Sequence, residues 1–381
     1  MDNTTSINQV IEFEMIRKDT EFYSQLMTEI KNSEKSGILI FCLTPYLSLF
    51  IIETYNYFSS RSPEFASMMK RQYEGILRVS RARTKLFDDD QKDISSLISH
   101  LEWTTDFVHR WMNENHVGVL AFLQKWLQTD MGLFYYGNNL ICTTQFALFN
   151  LGVGKTDIAT TQRGKPININ ELARSIGYDI GQYIGSLSNG LNIISRKPIA
   201  TASQYQLNDN LFRNRDKKAE FYLRKIYNGE PTSQLNLCLL LFSTTINFLI
   251  HTFSKLAINN SETWFKVKFL TLYHTVSSLT KIQNYFYTTG QLSGLSKNYF
   301  GYLLSDKEIK LLKSQRKLRN ILVHYSLKGL TETVFSPKTK YFGIIEHFFS
   351  GRKFEDIDET VDRQLLRFST ALEDWQNQIV R

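Results

Sequence analysis

Apolar positions recur at three- and four-residue spacing along most of this chain, the period of helices that bury one face. The clearest stripe closes the sequence. From Glu355 to Ile379, Val361, Leu365, Phe368, Leu372, Trp375 and Ile379 alternate four- and three-residue steps, a coiled-coil-like inward face. Two long apolar-rich segments, Leu235 to Ile258 and Thr263 to Thr288, flank the polar break Asn259-Asn260-Ser261-Glu262. A fourth helix is predicted from Asp306 to Tyr325, with Ser305 and Glu308 at capping-box spacing and Gly329 as a stop. In it Leu311, Leu312, Leu318, Ile321, Leu322 and Tyr325 face inward. Gly343 to Ser350 adds a short helix. Upstream, helices are expected over Ser67 to Lys85, Asp93 to Asn113, Gly118 to Trp126 and Asn170 to Leu187. The fold class is therefore all-α, with a carboxy-terminal up-down helical bundle and an additional helical amino-terminal domain.

Polar stretches rich in Gly, Pro, Thr and Asn interrupt the pattern between Gly152 and Pro166 and between Arg196 and Asp216. The second is the preferred boundary, giving a helical domain over 1–215 with a recognition or regulatory role and a bundle over 216–381. Two apolar runs invite a membrane reading. Ile38 to Ile52 spans about fifteen residues, short of the roughly twenty that a crossing needs, and contains Pro45, which suits an uninterrupted helix poorly. Leu237 to Ile258 is interrupted by Ser243, Thr244, Thr245, Asn247, His251, Thr252, Ser254 and Lys255, which favours a buried bundle helix over a span. No stable membrane insertion is expected.

Composition narrows the class without selecting a function. A chain of 381 residues with 42% hydrophobic and 13% aromatic residues can build a large core. Its 45 basic and 37 acidic side chains leave a net charge of +8, which suits an anionic partner. Cys42, Cys142 and Cys238 form no Cys-x-x-Cys pair, which argues against a zinc site or a disulfide framework. The polar start Met1-Asp2-Asn3-Thr4-Thr5 has no leader pattern, so the expected location is cytoplasmic. No cofactor and no metal is expected. Gly154-Lys155-Thr156 lacks the earlier glycine of a phosphate loop, Phe149 standing in its place, and Asp88-Asp89-Asp90 reads as a solvated loop.

The densest chemistry lies in Arg319-Asn320-Ile321-Leu322-Val323-His324, in a basic run with no acidic residue between Glu308 and Glu332. Arg316, Asn320 and His324 follow one another along one face, and Arg319 flanks it. On a straight helix Arg319 and His324 are about 7.5 Å apart along the axis and diverge by about 140°. One helix does not aim both at one phosphate, whereas two copies across a two-fold axis would. Arg110 and His116 make a second Arg-His match, but Glu114 lies inside it and no polar residue follows the arginine.

Arginine, a polar residue directly after it, and histidine at Arg-x4-His spacing resemble the signature of the HEPN superfamily over roughly the last 150 residues. The resemblance implies a HEPN-like helical bundle and a metal-independent endoribonuclease that cuts RNA through attack of the 2'-hydroxyl. His324 would be the acid or base and Arg319 the phosphate-binding cation, with Asn320 orienting the imidazole. Arg316, Lys317 and Lys328 would steer the RNA backbone and Tyr325 would stack on a base or join the core. It also implies a homodimer, a regulatory partner protein or antitoxin, and a role as a toxin or antiviral defence effector. The alternative is a non-catalytic helical module that binds RNA or a protein. A peripheral membrane protein using the basic surface is a third reading.

Overall fold

The structure, a computed structural model, describes residues 7–87, 94–113, 129–152, 169–195, 206–228, 232–256 and 260–377. The expected helix Gly118 to Trp126, His116, the Asp88–Asp90 run, the Gly154-Lys155-Thr156 segment and Ile379 lie outside these residues.

Long helices dominate, as the periodicity requires, and the chain is an all-α protein with one small sheet. In the first half α1 (Ile7–Asn32), α2 (Ser36–Ser59), α3 (Pro63–Arg83) and α4 (Ser95–Asn113) follow in order. A hairpin of β1 (Met131–Tyr136) and β2 (Asn139–Thr143) leads into α5 (Thr144–Asn150) and the long α6 (Ile169–Ser195). Strand β3 (Phe212–Lys217) then pairs antiparallel with β1, in the order β2-β1-β3, and runs into the short α7 (Ala219–Lys225). The second half holds α8 (Ser233–Asn247), α9 (Ser261–Thr288), α10 (Gly294–Leu304), α11 (Lys307–Ser314), α12 (Arg316–His324), α13 (Ile344–Phe348) and α14 (Phe354–Gln376).

Helices α8, α9 and α14 pack on one another. Val361, Leu365, Phe368, Leu372 and Trp375 of α14 are all buried, as the stripe predicts. α8 ends before its apolar run does. The chain passes through a π turn at Phe248–Thr252 and a 3-10 turn at Phe253–Lys255. Both changes of helix type keep Phe248, Leu249 and Phe253 buried. Of the residues that spoke against a membrane span, His251, Thr252, Ser254 and Lys255 lie in this segment, and Ser243, Thr244, Thr245 and Asn247 lie in the last turns of α8. Ser36–Ser59 and Ser233–Lys255 are long and apolar enough to cross a membrane, and 78% of the most apolar window of each is buried inside the fold.

The expected boundary near residue 215 falls inside β3, and one continuous hydrophobic core takes in residues from α1 to α14. α1 packs on α9, and α2 packs on α12, so helices of the two halves interleave. The cysteines also meet across the sequence, since buried Cys42 lies against buried Cys142 with both thiols free.

Two expectations fail for identifiable reasons. Pro45 does not end α2, which continues for 24 residues through it. Proline has no N–H for the carbonyl four residues back, here Phe41. The Asn150 side-chain amide at the end of α5 donates to that oxygen instead, at 3.1 Å. The expected Asp306–Tyr325 helix is in fact two, because Gln315 (φ −83°, ψ 47°) breaks it. Neither glycine nor proline marks the break. It lets α11 pack on α9 while α12 crosses to α2, a tertiary demand that outweighs local propensity. The cap of α11 is Asp306, one residue after Ser305, accepting from the N–H groups of Glu308 and Ile309.

The Phe41 carbonyl gives a double-mutant test. Asn150→Ala is expected to lower unfolding free energy by about 1–3 kcal/mol, the cost of an unsatisfied buried acceptor. In a Pro45→Ala background, where residue 45 supplies its own N–H, the same change should cost distinctly less. Urea denaturation of the four proteins measures this, and additive effects would contradict the account.

Candidate functional site

The Arg-His motif occupies α12, whose apolar face of Leu318, Ile321, Leu322 and Val323 is buried. The helix ends at His324 because Tyr325 takes a left-handed conformation (φ 52°), four residues before the expected stop at Gly329. A non-glycine residue there costs on the order of 1 kcal/mol and needs something to hold it. The Tyr325 side chain supplies the hold. It is fully buried, and its hydroxyl donates to Asp19 Oδ2 at 2.7 Å.

Asp19 lies on α1 and is 3% exposed. Besides Tyr325, its Oδ2 accepts from Lys266 Nζ at 2.5 Å and its Oδ1 from Thr263 Oγ1 at 2.7 Å. The Lys266 ammonium also sits 4.0 Å from the Tyr325 ring centroid. Burial pulls the Lys266 pKa down and the Asp19 carboxylate opposes this. Burial, reinforced by Asp19, pushes the Tyr325 hydroxyl well above its ordinary value. Two turns earlier on α1, Glu12 accepts from the Leu327 N–H at 2.8 Å and from Arg61 at 2.6 Å. Carboxylates from α1 thus fix the chain just beyond the motif.

His324 stands at the surface. Its side chain is 48% exposed, and Nδ1 lies 2.7 Å from Glu53 Oε2, whose side chain is 11% exposed. An ionised carboxylate only accepts, so the imidazole proton sits on Nδ1 and Nε2 is left for a ligand. Glu53 is the only charged residue of α2. Sequence reasoning passed over it, although one carboxylate in a long apolar run was the available signal.

Arg319 does not meet His324 in this chain, in keeping with their helical divergence. Its Nη2 donates to the Phe87 carbonyl at 3.0 Å, its Nε to His274 Nε2 at 3.1 Å and its Nη1 to Asn320 Oδ1 at 3.0 Å. The guanidinium therefore ties α12 to α9 and to the turn after α3. Asn320 is engaged with Arg319 and not with the imidazole. Lys317 reaches the Gly329 carbonyl at 3.2 Å, and Arg316 and Lys328 are exposed. Tyr325 corrects the stacking expectation, because its buried ring presents no face to a base and the core alternative holds. In the second Arg-His match, the Arg110 Nε donates to the carbonyl of Asp106 within its own helix. Among the described residues no group of three His, Cys, Asp or Glu side chains is placed to hold a metal ion.

No protein-family model matches the chain, and neither does any curated protein or solved structure.

Two measurements test the buried network. Asp19→Ala leaves the buried Lys266 without its counter-charge and should destabilise the fold by about 3–5 kcal/mol, whereas Tyr325→Phe should cost about 1 kcal/mol. Equal effects in denaturant titrations would remove Asp19 from its central place. The hydroxyls of Tyr23, Tyr227, Tyr325 and Tyr341 are all raised well above the ordinary value of 10.0, chiefly by burial. Their folded pKa exceeds the unfolded one, so their contribution is intact below pH 10 and is lost as pH rises through the folded values. Tyrosinate absorbance should therefore rise in two stages, exposed rings first and these only with alkaline unfolding. A single stage near the ordinary value with the fold intact would contradict this burial.

Proposed function

We propose that this chain is a metal-independent endoribonuclease of HEPN type, with His324 as the group that exchanges protons with RNA. The observation that carries the reading is the Glu53–His324 pair. A half-exposed imidazole is held on a nearly buried carboxylate, which fixes its tautomer and leaves Nε2 free to act. In the reaction the 2'-oxygen gives up its proton, bonds to the adjacent phosphorus and displaces the 5'-oxygen, which takes a proton as it leaves. His324 serves one of these transfers. A second copy's His324, brought in by a two-fold dimer, would serve the other. Arg316 and Lys328, both exposed on the same segment, would meet the phosphate. Arg319 is a clamp in the single chain, and its phosphate role requires release from the Phe87 carbonyl. Burial of both span-length helices supports a chain that works without inserting into a membrane. Cytoplasmic action on RNA, under a partner or antitoxin, belongs to the same reading.

Engagement of Arg319 with three groups of its own chain favours a second reading, a non-catalytic module that binds RNA or protein through the basic face of α12.

Incubation of purified protein with RNA in EDTA decides between them. Wild type should release fragments ending in 2',3'-cyclic phosphate, and His324→Ala should lower the rate by roughly 10²-fold or more. Glu53→Gln should lower kcat with KM nearly unchanged, because the carboxylate that fixes the imidazole tautomer is lost. Mixing wild type with excess His324→Ala protein should lower activity by more than dilution, because a mixed dimer carries only one His324. Equal cleavage by wild type and His324→Ala would sink the assignment, and intact RNA with all proteins would favour the binding module.

A further inference from the structure

A concentrated charge feature outside α12 is the edge of the sheet. Residues 210–225 carry six basic side chains, Arg213, Arg215, Lys217, Lys218, Arg224 and Lys225, against two acidic ones, Asp216 and Glu220, a net +4 of the chain's +8. Glu220 is paired with Arg224 at 2.9 Å. Among the described residues β3 has β1 on one side and no strand on the other. Arg213, Arg215 and Lys217 fall at alternate positions, so they share one face at a repeat of about 6.7 Å, and all three are exposed. Asp216 pairs with Gly132 and points to the opposite face. Lys218 follows directly. None of these four cations is ion-paired among the described residues.

Aromatic rings are interleaved with the charge. The Arg215 guanidinium lies 5.8 Å from the Tyr135 ring centroid, and the Lys218 ammonium 5.2 Å from that of Phe221, which is 55% exposed. Guarding a free edge against another strand takes a single charge of either sign. A row of one sign repels itself, and the exposed Phe221 ring adds nothing to a guard. Regularly spaced cations beside the exposed Phe221 and the partly buried Tyr135 fit a strand of phosphates with unstacked bases. A duplex would present its charges but hide its base faces.

We propose that β3 and the first turn of α7 form a docking strip for single-stranded RNA, with phosphates on Arg213, Arg215 and Lys217 and bases against Tyr135 and Phe221. The strip shares with the preceding section the premise that RNA is the ligand, and it does not require that His324 cut it.

The test is fluorescence anisotropy of a labelled oligouridine in EDTA, with the full chain carrying His324→Ala so that no cleavage intrudes. Adding Arg213→Ala and Arg215→Ala should weaken binding at least tenfold at low salt. It should also lower the slope of log affinity against log salt by about 1.4, or about 0.7 per lost phosphate contact. Arg213→Lys with Arg215→Lys should keep that slope, and Lys307→Ala with Lys310→Ala on α11 should change affinity less than twofold. An unchanged isotherm for the alanine pair overturns the strip, as does an equal loss from the α11 pair. Displacement of the oligonucleotide by polyglutamate at equal affinity overturns it in favour of an acidic protein partner. Binding through β3 with no cleavage by wild type would remove the nuclease and keep the strip, and cleavage without any effect of β3 would do the reverse.

Discussion

One buried carboxylate holds the two ends of this molecule together. Asp19, near the start of the chain, accepts from Thr263, Lys266 and Tyr325, which lie more than two hundred residues later. Moving a carboxylate and an ammonium out of water is expensive, and the cost is met only while every partner stays in place. The network is therefore tolerable in one arrangement of α1, α9 and the end of α12. It is also what keeps Tyr325 in a left-handed conformation, which ends the helix just after His324. Glu12 extends the same control to Leu327, and Glu53 applies it to the imidazole. Acidic residues of the first two helices thus set the position of a basic motif in the second half.

That arrangement shapes the chemistry open to the motif. His324 is presented at the surface with a defined tautomer, while Arg319 is drawn inward to Phe87 and His274. A motif read as one catalytic unit becomes, in the folded chain, one accessible group and one structural tie. Pooling of two chains, or release of the arginine, is what an in-line phosphate cleavage would demand of it.

Most of the helices were legible because their stripes are long and regular. α14 is the clearest case, and α9 begins at Ser261, two residues before its predicted start. The β1-β2 hairpin was missed although Gly137-Asn138 sits between two apolar runs, a turn signal that the helical pattern around it obscured. The break at Gln315 and the continuation of α2 through Pro45 had no local signal, since packing against α2 and the Asn150 amide decide them. At the site, His324 and Arg319 were found from spacing alone. Glu53, Asp19 and Lys266 were not, because each is recognisable only as a charge whose partner lies far away in sequence. The same long-range pairings explain why a polar stretch near residue 215 looked like a boundary while the core runs through it.

The dependence of the second half on these carboxylates can be measured directly by producing residues 216–381 without the rest and following their unfolding by circular dichroism and urea. The fragment lacks Glu12, Asp19 and Glu53 and leaves Lys266 buried without its counter-charge. The account predicts no cooperative transition, and the appearance of one when residues 1–215 are added back as a separate chain. A fragment that unfolds cooperatively by itself, with the helix content of its share of the intact protein, would contradict it.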